Sequence, residues 1–361
     1  MKSERVKESA YMYWVKKSSA AKYNLVISDM VNVPFSALRV PPEELEIIGP
    51  GGYGYPPLID AIAAKEQVDP SCVVPSVGTS LANHVAMATL LDPGDEALIE
   101  HPTYELLTSA LAYLGASVTS FPRRFENRFL IDPDDVRRRM TNRTKLIVLT
   151  NLHNPSSALT DETTLRAIAE IAEAHGAYVL VDEVYLDAYF EKKQRSAFHL
   201  SRRFVATNSL TKVYGLSGLR CGWILADEDL AGRMRRITDL FHSTPAHIAD
   251  RISVTAFSRL GELARRSREL LGKNSEILNA SIQKCSKLRC IPHSHGLVAF
   301  PQCSVKNIDV FYELLAGKYE TTVAPGRFFG IPDHFRIGIG KDTEVLREAL
   351  RRLGAALDES D

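Results

Sequence analysis

The chain has 361 residues, 45% of them hydrophobic and 24% charged, which suits one large domain or two closely joined ones with a sizeable core and argues against disorder. Its 44 basic and 44 acidic residues cancel, excluding a global electrostatic pull toward nucleic acid or an anionic membrane. No run approaches the ~18 apolar residues of a membrane span.

The start, MKSERVKESAYMYWVKK, is polar and lacks the apolar stretch of a secretion signal. Next comes LEIIGPGGYGYPPLIDAIAAKE, where Gly49, Gly51 and Gly54 give the outline of a dinucleotide fingerprint. The context is wrong for one. Pro50 interrupts the loop, Pro56 and Pro57 remove N–H groups where a pyrophosphate needs them, and Asp69 follows no apolar strand. A flexible turn that carries Tyr53 and Tyr55 toward a contact is the better reading.

From about residue 70 to 227, short apolar runs alternate with helical patterns. Strands are predicted over Val73–Val77, Glu96–His101, Ser117–Pro122, Lys145–Thr150, Ala177–Glu183, Arg203–Ser209 and Gly222–Asp227. The runs are nearly continuous, as in strands covered on both faces. Helices are predicted between them, for example over Leu81–Leu91 and over Thr163–His175, which stops at Gly176. The fold class expected is α/β, a mostly parallel seven-stranded sheet sandwiched by helices.

The last third reads differently. A long helical region runs from Leu230 to about Ser281. It is followed by an apolar stretch (Gly296–Phe300), a helix (Ile308–Leu315), a strand pair near Thr321–Val323 and Phe335–Ile339, and a final helix (Thr343–Leu357). We expect an N-terminal segment over residues 1–45 that joins a smaller α+β domain over 261–361, and a large domain over 46–260. The basic clusters at Arg137–Arg139, Arg233–Arg236 and Arg265–Arg268 read as solvated helix faces. Cys72, Cys221, Cys285, Cys290 and Cys303 form no CxxC pair, and an odd count fits free thiols in a reducing cytoplasm. His293 and His295 lie two apart with no cysteine or carboxylate cluster nearby, so no metal is expected.

In open α/β sheets, ligands bind at the carboxyl ends of the strands. Those ends carry GTSLANHV (Gly78, Thr79, Ser80), PTYE (Tyr104), NLHNPSS (Asn154), VDEVY (Asp182, Tyr185) and TNSLTKVYGLSGLRCGW (Ser209, Thr211, Lys212, Arg220). Each alone has an ordinary reading as a cap, a turn or a core ring. Together they supply an amine nucleophile, an anion cradle at a helix N-terminus, an aromatic platform, a buried acid and two partners for a phenolic oxygen. A pyridine aldehyde phosphate needs that set.

The sequence resembles the class I/II aminotransferases, pyridoxal phosphate enzymes of fold type I, from about Gly49 to Gly340. SLTKVYGLSGLRCGW is similar to the family's lysine signature, and LDPGDEALIEHPTY and VDEVY are family-like. The resemblance implies an aminotransferase moving the amino group of an α-amino acid to a 2-oxo acid, and a homodimer without nucleic-acid or membrane partners. It implies Lys212 as the Schiff-base lysine and base. Arg220, Ser209, Thr211 and the Gly78–Thr79–Ser80 loop would hold the phosphate, Asp182 would pair with the pyridine nitrogen, Asn154 and Tyr185 with the phenolic oxygen, and Tyr104 would stack on the ring. Arg336, in FRIGIG, matches the arginine for the substrate's α-carboxylate, with Asn154 beside it. Tyr53, with Tyr55 competing, would reach the partner subunit's phosphate. Three departures fall on the substrate side: Ser157 for a glycine in NPSS, no small glycine in ISDMVNVPF, and Arg327 in APGRFFG. An inward Arg327 would favour aspartate or glutamate. A decarboxylase, lyase or cyclase of the same fold is the alternative reaction class.

Overall fold

The computed structural model describes residues 6–192 and 194–360. The first five residues of the expected N-terminal segment lie outside that range. The seven predicted strands all form, within a residue or two of their expected ends: β1 (Val73–Val77), β2 (Glu96–His101), β3 (Ser117–Pro122), β4 (Thr144–Thr150), β5 (Tyr178–Asp182), β6 (Phe204–Ser209) and β7 (Cys221–Leu225). They make one sheet in the order β1-β7-β6-β5-β4-β2-β3. Pairing is parallel from β6 through β3, and β7 runs antiparallel to both of its neighbours. β7 therefore begins at the edge where β1 and β6 end.

The continuous apolar runs follow from burial on two faces. Ala97, Ile99, Leu146, Val148 and Leu180 point into one core, packed with Ala82, Val85 and Ala86 of helix α3 (Thr79–Leu90) and with Leu107 and Leu111 of α4 (Glu105–Tyr113). Their neighbours Leu98, Ile147, Leu149, Val179 and Val181 point into the other, against Leu165, Ile168 and Ala172 of α5 (Glu162–Ala174). Each leucine, isoleucine or valine among them, wholly removed from water, contributes roughly 1.5–3 kcal/mol. Three helices precede these: α1 (Ala10–Ser18), the single turn Phe35–Leu38 and α2 (Pro56–Glu66).

The long helical region is three helices, Glu228–Thr238, His247–Phe257 and α6 (Leu260–Gln283). Pro245, which has no N–H to donate, lies in the first break. The expected strand pair near Thr321 and Phe335 is also rearranged. Phe335–Gly338 lies between Val298–Ala299 and Ala324–Pro325, antiparallel to both, while Thr321–Thr322 pairs in parallel with Tyr23–Asn24. Gly338 N–H donates to Leu25 O at 2.7 Å. The N-terminal segment is thereby stitched to the C-terminal part, where α7 (Thr343–Glu359) packs on α6. Its next residues, Val26 to Asp29, continue toward the carboxyl edge of the large sheet.

Candidate active site

Strand register brings the chemistry-bearing residues to one edge. Thr150 is paired with Asp182, Asp182 with Thr207, Ser209 with Gly222, and Val77 with Cys221. A cavity of about 360 Å³ opens there. Its lining includes Thr79, Ser80, Tyr104, Asn154, Asp182, Tyr185, Ser209, Thr211, Lys212, Arg220 and Arg336.

One end of the cavity is built for an anion. β1 stops at Val77, and Gly78, at φ 78°, turns the chain so that α3 starts at Thr79 with its N-terminus at the cavity. A side chain at Gly78 would meet the Arg220 guanidinium at 2.3 Å, and one at Gly222 would meet the Gly78 carbonyl carbon at 2.7 Å. The two glycines let the helix end, β7 and Arg220 close in together. Arg220 itself holds the left-handed region at φ 52°. The Thr79 and Thr211 hydroxyls are buried without a hydrogen-bond partner among the described residues, and both residues line the cavity. Orphaned hydroxyls, free helix N–H groups and a guanidinium together fit a phosphate.

Deeper in, Asp182 is 5% exposed. Burial raises its carboxyl above the usual range, opposed by Asn83 Nδ2 and the Val184 N–H, which donate to it at 2.7 and 3.0 Å, and by the charge of Lys212. Thr207 Oγ1 donates to Asn83 Oδ1 at 2.6 Å, fixing which face of that amide Asp182 meets. Tyr104 caps α4 and lines the cavity, with Tyr11 edge-on at 5.7 Å. Burial holds its phenol well above the ordinary tyrosine value. Tyr185 is buried and likewise raised by burial, against the charges of Arg336 and Lys212.

Lys212 Nζ pairs with the Asp29 carboxylate, and the Met30 N–H donates to Lys212 O at 3.0 Å. Burial alone would depress this ammonium. Asp29 and Tyr185 outweigh it and hold the group above the usual lysine value. Arg336 is 2% exposed; it donates to Asn154 Oδ1 at 2.9 Å, Tyr11 Oη at 2.7 Å and Val26 O at 2.9 Å. Its Nε is buried with no partner among the described residues.

Three expected site residues lie elsewhere. Gly78 supports the cradle without lining it. Tyr53 is exposed and donates to Asp239 at 3.0 Å, outside this cavity. Arg327 points away: its guanidinium pairs with Asp309 at 2.9 Å over the Phe328 ring, so it supplies no cation to the cavity. Ser157 occupies the left-handed region at φ 62° that a glycine would take freely, and its hydroxyl donates to Val298 O at 2.7 Å. Sequence reasoning missed Asn83, Tyr11 and Asp29. Asn83 was within view as a polar residue on the apolar face of α3, and Asp29 sits inside the ISDMVNVPF departure.

Comparison with known proteins agrees with this geometry. The sequence profile "Aminotransferase class I and II" matches residues 48–353. The chain belongs to the class I and II aminotransferases. It is 28% identical over 302 residues to the arginine–pyruvate transaminase of Pseudomonas aeruginosa (81% of this chain, 77% of the relative), and 29% over 301 residues to the capreomycidine synthase of Streptomyces vinaceus (82% and 77%). A crystal structure of a PLP-dependent aminotransferase from Streptococcus suis superposes with a TM-score of 0.93 at 25% identity, covering 99% of each chain. This aminotransferase is a pyridoxal phosphate enzyme, and the cradle, buried acid and lysine of the cavity fit that cofactor.

Proposed function

We propose that this aminotransferase carries its reaction in the cavity between Gly78 and Arg336, with Lys212 as anchor for pyridoxal phosphate and as the base at the substrate's Cα. The observation that carries the assignment is the convergence of Lys212, Asp182, Arg220 and the two orphaned threonine hydroxyls on one cavity. When bound, the cofactor supplies an electron sink for the carbon from which the proton leaves. The protein's residues do the rest. Arg220, Ser209, Thr211, Thr79, Ser80 and the α3 N–H groups bind the phosphate. Asp182, held by Asn83, meets the ring nitrogen and favours its protonated form, because opposite charges at ~4 Å gain roughly 4 kcal/mol at an effective dielectric near 20. Asn154 and Tyr185 meet the ring's phenolic oxygen, and Tyr104 covers its face.

Arg336 binds the substrate's α-carboxylate, a planar fork matching a planar anion. Lys212 then takes a proton from Cα and returns it elsewhere, which requires its neutral form. The donor is an α-amino acid and the acceptor a 2-oxo acid. The test is an amino-acid panel with a 2-oxo acid acceptor, scored for a new 2-oxo acid and a new amino acid in equal amounts. The similarity to a synthase keeps a second reading, in which another bond at Cα breaks. Carbon dioxide, an eliminated amine or a ring-closed product in place of the 2-oxo acid would select it.

We read residues 46–260 as the cofactor domain and 1–45 with 261–361 as the smaller one; the pairing of Tyr23–Asn24 with Thr321–Thr322 supports this. We also propose a homodimer. Ile47, Ile48, Leu240 and Phe241 are exposed on two adjoining segments, tied by the Tyr53–Asp239 bond, and apolar surface of this kind marks contact sites. Tyr55 packs on His247 at 4.9 Å while Tyr53 is exposed, which supports Tyr53, released from Asp239, as the residue for a partner's phosphate. Leu240→Glu with Phe241→Glu should give monomers by light scattering; unchanged dimers would discard this surface. No helix among the described residues is long and apolar enough to cross a membrane. Five free thiols support a reducing, cytoplasmic setting.

A further inference from the structure

We infer that Asp29 makes this site selective for amino acids with a cationic side chain. The inference rests on the functional reading above and deepens it to a substrate class. It comes from the charges that line the cavity, which are Asp29, Asp182, Lys212, Arg220 and Arg336. Four have work in that reading: Asp182 at the ring nitrogen, Arg220 at the phosphate, Arg336 at the α-carboxylate, and Lys212 as anchor and base. Asp29 has none.

Its partner in the structure is Lys212, with side chains 19% and 29% exposed. Lys212 serves as anchor or base only once its amine has lost the proton that makes this ion pair. The carboxylate of Asp29 is then left in a partly enclosed cavity without a counter-ion, which is costly unless another cation arrives. Arg336 and Lys341 also feel the Asp29 charge. Arg336 is already tied to Asn154, Tyr11 and Val26 O. Lys341 neither lines the cavity nor pairs with Asp29 within 4.0 Å. A cationic group on the substrate fills the role.

Reach agrees. Arg336 bonds the carbonyl of Val26, and Asp29 is three residues further along the same segment. Three residues of chain span at most roughly 10 Å. A substrate whose α-carboxylate sits on Arg336 thus has Asp29 within the span of an ornithine, lysine or arginine side chain. A distal carboxylate finds the wrong sign there, and Arg327, turned to Asp309, gives it no cation in this cavity.

The test uses the cofactor-loaded enzyme and isosteric pairs: arginine against citrulline, and ornithine against norleucine. Calorimetry reads the Kd of each, and product assays read amino transfer separately, so a chain that binds selectively but transfers nothing overturns the aminotransferase reading and not this one. The expected result is a preference of roughly 10- to 150-fold for each cationic member, the scale of one hydrogen bond to a charged group. Asp29→Asn should erase most of that preference and Asp29→Glu should keep part of it. Equal affinity within each pair for the wild type overturns the inference. So does an Asp29→Asn enzyme whose preference is unchanged while kcat falls equally on every substrate, because Asp29 would then only position Lys212.

Discussion

Asn83 Nδ2 donates to Asp182 Oδ2 at 2.7 Å, across 99 residues of sequence. The amide comes from the second turn of α3 and the carboxylate from the end of β5, so in the proposed site the helix whose N-terminus would face the phosphate also holds the acid for the ring nitrogen. Loss of a hydrogen bond to a charged group costs about 1.5–3 kcal/mol. Asn83→Ala should therefore lower kcat roughly 10- to 150-fold with the cofactor still bound, and Asp182→Asn should cost several orders of magnitude. Steady-state kinetics on cofactor-loaded variants checks both. An Asp182→Asn rate within tenfold of wild type would reduce Asp182 to a turn residue.

Lys212→Ala should abolish turnover and still bind pyridoxal phosphate, because the phosphate and ring contacts do not involve the amine. Equilibrium dialysis measures the binding, and multiple-turnover transamination by this variant would contradict the assignment.

Arg336→Lys should lower kcat/KM on every amino acid by about 100-fold, since an ammonium replaces a fork that matches a carboxylate with two parallel bonds. The loss should be uniform across side chains. A loss confined to one class of substrate would move Arg336 to side-chain recognition.

Glu183, buried beside Asp182 in sequence, accepts from the Ala197 N–H at 2.7 Å, and burial pushes its carboxyl up to about 8. The folded state therefore holds this proton more tightly than the unfolded chain, where a glutamate titrates near ~4.3. Its contribution to stability is fully present below that value and is lost as pH rises through about 8. The stability of wild type relative to Glu183→Gln should fall between pH ~5 and ~8, measured by urea unfolding of both proteins. A constant difference would mean that Glu183 is ionised in the folded protein throughout.

The sheet was legible in the sequence because each strand is covered on both faces, so apolar runs such as Leu146–Leu149 appear unbroken. The residues proposed to hold the cofactor stood out in the sequence because they end those strands, and the structure brings most of them to one cavity. Asn83 and Asp29 were not. Both lie in stretches singled out above, GTSLANHV and ISDMVNVPF, but each acts through a partner far away in sequence, Asp182 and Lys212, that spacing does not reveal. Arg327 shows the opposite limit. Its loop was placed near the site, but the direction of its side chain is decided by Asp309, eighteen residues earlier, which sequence position alone does not reveal. The three helices between Glu228 and Gln283 read as one region although Pro245, which cannot donate to a helix ladder, marks the first break.

The most direct measurement is borohydride reduction of the cofactor-loaded protein followed by peptide mapping by mass spectrometry. The account predicts one pyridoxyl group per chain, on the Lys212 peptide, and none after prior incubation with an amino acid that the enzyme accepts. Label on another lysine, or no label on a protein that retains the cofactor, would contradict it.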